Sequence, residues 1–264
     1  VYEIINADFR DVVLERKFQT CITSPPYFGL RNYGEDEREV GFEQSLDEYI
    51  EDLVGVFRKV ADHLTEDGTL WVNIGDCYNG STGAGTDYHE GGRKSSKRKW
   101  GARFVEGLKP KNLIGVPWRF ALAMQADGWI LRSEVIWSKT KSYPQQESYI
   151  KRPIPSHETV FMFSKSKDYR YNATGKRFSV WTMSPESRNS HEAPFPLQLP
   201  AECIAASTDE GDWVLDPFGG SGTTGVASLM LGRNCVMVDL YPECCEKMQQ
   251  RLENVQQTDE VEWL

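Results

Sequence analysis

Apolar residues along this chain follow two rhythms. Short apolar runs bounded by turn-formers, at residues 2–7 (YEIINA) and 19–24 (QTCITS), predict buried strands. Over residues 45–64 the spacing changes to threes and fours. Leu46, Ile50, Leu53, Val54, Phe57, Val60, Ala61 and Leu64 then share one face of a helix, with Ser45 as N-cap and Glu48 at the capping-box position. Thr65-Glu66-Asp67-Gly68 predicts its end, and residues 69–75 (TLWVNIG) predict the next strand.

Residues 78–111 break the pattern: seven glycines, little apolar content and a basic cluster predict a mobile insertion. Pro117 suits the first turn of a helix running to about Ala126, ended by Asp127-Gly128. Strands are expected at 129–137 and 158–163, and residues 165–196 read as polar, aromatic and irregular. A short helix after Pro200, a strand at 212–216, a glycine-rich turn, a helix at 223–231, a strand at 234–240 and a helix at 242–254 complete the chain. Strands alternating with helices predict an α/β fold: one mostly parallel, twisted sheet flanked by helices, within a single domain over 1–264.

A net charge of −9 argues against a polyanion-binding protein, but its distribution changes that picture. Residues 1–77 carry 17 acids and 7 bases, and residues 201–264 carry 12 acids and 3 bases. Between them, Arg93, Lys94, Lys97, Arg98, Lys99, Arg103, Lys109 and Lys111 are interrupted only by Glu106, and residues 139–188 hold ten bases against four acids. A basic middle between acidic outer thirds suggests one polyanion-facing surface; solvated loops are the plain alternative. The six cysteines form no C-x-x-C pair, so no metal site is expected, and reduced thiols in a cytoplasmic protein are the simplest reading. No apolar run reaches the ~18–20 residues of a membrane span. The chain opens at Val1 with no signal peptide, as if an initiator Met or a short arm had been removed.

Two segments carry candidate chemistry. The first is Asp216-Pro217-Phe218-Gly219-Gly220-Ser221-Gly222-Thr223-Thr224-Gly225, a strand end running through glycines into a helix. Gly220, Gly222 and Gly225 satisfy G-x-G-x-x-G, and Asp239 ends the next strand, where an acid can meet ribose hydroxyls. A purely structural strand–helix turn remains open. The carboxylate of Asp216 would repel a pyrophosphate and suit a cationic amino group, which favours S-adenosylmethionine over NAD.

The second is Ser24-Pro25-Pro26-Tyr27, directly after a buried strand. Its prolines fix φ and remove donors, so local carbonyls and the Ser24 hydroxyl form an acceptor array beside the Tyr27 ring. Such an array suits an amino group on an aromatic base. Acceptors pulling on both N–H bonds favour a pyramidal nitrogen and expose its lone pair as charge builds in the transition state. A proline-rich turn closing a strand is the competing reading.

Together the two motifs resemble those of the amino-methylating DNA methyltransferases of restriction–modification, phage and orphan systems. Their order, with Ser24-Pro25-Pro26-Tyr27 first and the glycine motif near the end, is similar to the permuted β group. Further segments match in order: residues 70–76 (LWVNIGD), Ile136-Trp137-Ser138-Lys139, His157-Glu158, and Phe195-Pro196 followed by Leu199-Pro200. The resemblance implies a Rossmann-like methyltransferase fold, S-adenosyl-L-methionine as cofactor and double-stranded DNA as substrate. In this family a leading serine usually accompanies cytosine N4 methylation, and a leading Asp or Asn adenine N6. A cytosine C5 enzyme would need a Pro-Cys nucleophile, and none is present.

The resemblance further implies that the target base leaves the duplex, Tyr27 stacks on it, and Ser24 Oγ with the Pro25 carbonyl accepts its amino protons. Asp216 and the turn from Gly219 to Thr223 would hold the methionine portion, Asp239 the ribose, and Phe195 the pocket wall. Asp8 would reach the adenine amino group, or else cap a helix over 9–16. Arg93, Lys94, Lys97, Arg98, Lys99, Lys139, Arg152 and His157 are candidate DNA contacts, with residues 139–196 as the candidate target-recognition region. A homodimer and a cognate restriction endonuclease stand open as partners. Adenine N6 methylation is the nearer alternative and an NAD-dependent oxidoreductase the remote one.

Overall fold

The computed structural model describes residues 1–29, 38–41, 43, 45–80, 104–140, 151–172, 178–185 and 195–257. Eight strands form one sheet: β1 (Tyr2–Asn6), β2 (Phe18–Thr23), β3 (Leu64–Ile74), β4 (Ile130–Lys139), β5 (His157–Ser164), β6 (Val180–Met183), β7 (Trp213–Asp216) and β8 (Asn234–Asp239). Five helices cover it: α1 (Leu46–His63), α2 (Val116–Ala126), α3 (Gln198–Ser207), α4 (Thr223–Met230) and α5 (Pro242–Gln257). The strand order is β1-β8-β7-β2-β3-β5-β4-β6, and only β5 runs against its neighbours.

Alternation along the strands divides the core between the two faces of the sheet. Phe18, Leu70, Val72, Phe161, Phe163, Leu215 and Val236 pack beneath α1 and α2. Ile22, Trp71, Met162, Val214, Cys235 and Met237 pack beneath α3, α4 and α5. Both faces are therefore dry, as a mostly parallel sheet requires. From β7 the chain crosses by α4 to β8 on one side, and from β2 it crosses by α1 to β3 on the other. The order reverses between β2 and β7, and in open α/β sheets ligands bind beyond the carboxyl ends of the strands at such a point.

The expected helix over 45–64 is present with its capping box: Glu48 N donates to Ser45 Oγ and Ser45 N to Glu48 Oε2. Its expected exit is corrected. Thr65-Glu66-Asp67-Gly68 is the irregular first half of β3, not a separate turn, because Leu64 already pairs with Phe18 and the register shifts before Thr69 meets Thr20. Gly68 permits this, since a Cβ there would lie 3.2 Å from the Gln19 carbonyl and 3.0 Å from Thr65 Oγ1. The helix placed after Pro200 begins earlier, at Gln198, with Pro200 in its first turn where no intrahelical donor is lost.

Two regional expectations fall partly within the described residues. Within the supposed mobile insertion, the described ends are pinned by Asn79, which is fully buried. Its Nδ2 donates to Leu108 O, its Oδ1 accepts from Val105 N, and its backbone pairs with Lys111 and Asn112. Residues 81–103, with Arg93, Lys94, Lys97, Arg98 and Lys99, lie outside the described residues. Residues 139–196, the candidate target-recognition region, include β5, deep in the sheet, and β6, whose Trp181 and Met183 are buried.

Removing the α1 cap tests how far this helix depends on local signals. Ser45→Ala should lower unfolding free energy by about 1 kcal/mol, read as a lower urea midpoint with an unchanged slope.

Candidate active site

The segment after β2 and the segment after β7 open into one cavity of about 400 Å³, a volume suited to a small-molecule cofactor. Ser24, Pro25, Pro26 and Tyr27 line one side; Asp216, Pro217, Phe218, Gly219, Gly220, Ser221 and Thr223 line the other. The two segments also touch. Thr23 Oγ1 donates to Asp216 Oδ1 at 2.7 Å, a bond between residues 193 positions apart. Parallel pairing of β2 with β7 (Thr20↔Val214, Cys21↔Leu215) brings both strand ends to the same edge of the sheet.

Asp216 is 2 % exposed, and burial pushes its carboxyl up to about 6. The hydrogen bonds from Thr23, Thr224 and the Phe218 N–H favour the carboxylate and offset part of that rise. Asp239, at the end of β8, accepts the Gly220 N–H on Oδ2 and the Tyr241 N–H on Oδ1. Those bonds hold the glycine turn against the next strand. Gly220 takes φ +52°, the left-handed conformation that a residue with a Cβ rarely adopts.

Asp8 lines the cavity from the end of β1. It caps a short 3₁₀ turn, Phe9–Asp11, by accepting the Arg10 N–H, and its carboxylate is gripped by the Arg10 guanidinium at 2.7 Å. The capping alternative is therefore present in shortened form, and Asp8 still reaches the cavity. Phe195 lines it too, while Gly222 does not. Gly222, the N-cap of α4 at φ +81°, packs on Met248, whose Cα would lie 3.2 Å from an added Cβ.

The segment from Ser24 to Tyr27 is held from three sides. Tyr49, fully buried on α1, donates to the Pro26 carbonyl at 2.8 Å. The Tyr27 ring lies against Gly75, where a Cβ would come within 2.6 Å of Cε2. The Tyr27 hydroxyl donates to Glu158 Oε2 at 2.7 Å and accepts from Asn73 Nδ2 at 2.8 Å.

Of the three candidate DNA contacts within the described residues, Lys139 is in the cavity wall. Its Nζ bonds Glu158 Oε1 and sits 4.8 Å from the Trp137 ring centre, which gives it a structural ion pair inside the cleft. Arg152 stacks on Tyr78 at 3.7 Å, joining the two basic regions, and His157 is exposed at the start of β5.

Sequence reasoning assigned no role to Glu39, Arg38, Glu158 or Tyr241, all of which line the cavity. Glu39 is 5 % exposed and accepts from the Tyr241 hydroxyl at 2.6 Å. Only Glu158 had a signal, the His157-Glu158 pair, and the pair alone carries no chemistry.

The cavity chemistry suits S-adenosyl-L-methionine. Five carboxylates, Asp8, Glu39, Glu158, Asp216 and Asp239, outnumber the two cations Arg38 and Lys139 and meet apolar walls from Phe195, Pro217 and Phe218. A ligand carrying ammonium and sulfonium charges fits that set, and a pyrophosphate does not. Among the described residues no cluster of His, Cys, Asp or Glu is able to hold a metal ion, and no helix is long and apolar enough to cross a membrane.

Comparison with known proteins agrees with this chemistry. The family model described as DNA methylase, for N6 and N4 methyltransferases, matches residues 18–250. The Type II methyltransferase M.SmaI of Serratia marcescens is 42 % identical over 269 residues, covering 95 % of this chain and 90 % of its own. The fold is similar to that of PvuII DNA methyltransferase (cytosine-N4-specific), with TM-score 0.70 at 19 % identity over 97 % of this chain and 90 % of that one. It is also similar to a Thermus thermophilus protein described as a DNA modification methylase and solved with S-adenosyl-L-methionine, with TM-score 0.65 at 22 % identity over 97 % and 94 %. This chain belongs to the N6/N4 DNA methylase family, the amino-methylating DNA methyltransferases.

Proposed function

We propose that this enzyme methylates the N4 amino group of cytosine in a short DNA sequence. The observation that carries the reading is the shared cavity: the serine-led segment and the glycine turn face each other, joined by the Thr23–Asp216 bond. The serine at position 24, where an Asp or Asn usually accompanies adenine N6 methylation in this family, favours cytosine. The alternative, adenine N6, has no specific observation in its favour.

When bound, S-adenosyl-L-methionine supplies an electrophilic methyl group on a sulfonium centre. Asp216 and the turn from Gly219 to Thr223 hold the methionine portion, Asp239 the ribose hydroxyls, Asp8 the adenine, and Phe195 part of the wall. Ser24 Oγ and the Pro25 carbonyl accept hydrogen bonds from the target amine. A base amine is a weak nucleophile because its lone pair is delocalised, and fixed acceptors strengthen it only as charge develops. Tyr27 presents a flat face for stacking. Placement of the two reactants in one cavity supplies much of the acceleration.

DNA reaches the cleft from the carboxyl edge of the sheet, with Arg152 and His157 as backbone contacts and Arg93, Lys94, Lys97, Arg98 and Lys99 as further candidate contacts. Charge there offsets an otherwise acidic body.

Nucleoside mass spectrometry of DNA from a host expressing the protein should show N4-methylcytosine; N6-methyladenine in its place would overturn the base assignment. Ser24→Ala should lower kcat by roughly 10²–10³-fold with cofactor Kd unchanged, as loss of one transition-state acceptor predicts. Gly75→Ala should drive Tyr27 from its seat, raising KM for DNA and lowering kcat while calorimetry shows normal cofactor binding.

Asp216 also sets a pH dependence. Its raised value means that without cofactor folding favours the protonated acid, so that contribution to stability is present below pH ~4 and lost as pH rises through about 6, above which the carboxylate predominates. A cationic ammonium beside it favours the carboxylate instead. Cofactor affinity should therefore weaken by roughly tenfold between pH 7.5 and pH 5. Asp216→Asn should flatten that profile, and a flat profile in the unaltered enzyme would remove Asp216 from the ammonium site.

A further inference from the structure

Glu158 has no part in the roles given above, yet it lines the cavity and organises the segment beside it. Its Oε1 is paired with Lys139 Nζ, and its Oε2 takes the Tyr27 hydroxyl at 2.7 Å and Asn73 Nδ2 at 2.9 Å. Donor and acceptor chemistry then orders the network. A carboxylate accepts only, and an amide nitrogen donates only. The Tyr27 hydrogen is therefore committed to Glu158, and the Tyr27 oxygen takes the Asn73 amide at 2.8 Å. That same oxygen is the partner of the Ser24 hydroxyl at 3.4 Å.

The consequence falls on Ser24. Its hydrogen is drawn toward Tyr27, and its oxygen, which the Asn73 amide nitrogen also approaches at 3.4 Å, keeps a lone pair for the cavity. The Asn73 amide shows the same imposed direction: its donor end is spent on Tyr27, Glu158 and Ser24, while Oδ1 is buried with no partner. Such an orphan acceptor costs stability, which the rest of the network must offset. An incoming base amine offers two N–H donors, and a serine pointing its own hydrogen into the cavity would meet them donor to donor.

We propose that Glu158, held by Lys139, is a positioning residue that fixes the direction of hydrogen bonding so that Ser24 accepts from the target amine. The inference rests on the reading of Ser24 as that acceptor. Glu158→Gln is nearly isosteric but can turn an NH2 toward Tyr27. The Tyr27 hydrogen can then swing to Ser24, and Ser24 turns its own hydrogen into the cavity.

The test measures initial rates with tritiated S-adenosyl-L-methionine on genomic DNA from a methylation-deficient host. Glu158→Gln and Tyr27→Phe should each lower kcat at least tenfold, with cofactor Kd unchanged by calorimetry. In a Ser24→Ala background, Glu158→Gln should cause no further loss, because its effect passes through the missing hydroxyl. A further multiplicative loss in that background would overturn the inference while leaving the acceptor role of Ser24 intact. Full turnover by Ser24→Ala alone would instead overturn the acceptor reading itself. Should Glu158→Gln fail to fold, Tyr27→Phe decides, since it leaves the ion pair untouched, and undiminished kcat there would overturn the proposal.

Discussion

Parallel pairing of β2 with β7 is the constraint on which the rest of the molecule depends. These strands lie 193 residues apart along the chain at Thr23 and Asp216, yet end side by side, and the Thr23 hydroxyl closes the gap to the Asp216 carboxylate. Each strand then releases its chain in an opposite direction, one through α1 and the other through α4. A crevice at that divergence is a property of the sheet topology, and the two motifs are the segments that border it. The late position of the glycine turn in the sequence is therefore immaterial to the site, because adjacency in the sheet replaces adjacency in the chain.

Electrostatics gives the cavity its selectivity. Five carboxylates gather around it, one of them buried deeply enough to be raised to about 6. Such a site penalises anions and rewards ammonium and sulfonium charge, which explains why a glycine pattern shared with dinucleotide-binding turns serves a different cofactor here. Within the same cavity Lys139 and Glu158 neutralise each other, so their influence reaches the catalytic segment through hydrogen-bond direction rather than net charge.

Local signals in the sequence reported local structure well. The Ser45–Glu48 capping box, the apolar stripe of α1, Pro117 near the start of α2 and the glycine turn after β7 all lie within a few residues of what they determine. What escaped is set by contacts across the chain. The Tyr27–Glu158 bond spans 131 residues, and the carboxylate of Asp76 accepts the N–H groups of Gly115 and Val116 to open α2 from 39 and 40 residues away. Lys139 read as a DNA contact because its pairing with Glu158 on the neighbouring strand has no trace in spacing. At Gly222 the motif does not distinguish a backbone approached by a cofactor from one approached by Met248, and only the structure shows the Met248 contact. The strand β6 was hidden by its length, four residues within a polar stretch.

The proposed reaction requires an extruded base and the methyl donor to meet in the cavity between Ser24 and Asp216. A crystal structure with an S-adenosyl-L-methionine analogue and duplex DNA measures this most directly. It should show a flipped cytosine stacked on Tyr27, its amino group within hydrogen-bond reach of Ser24 Oγ and turned toward the analogue's reacting centre. A target base seated elsewhere, or an analogue bound away from the glycine turn, would contradict the account.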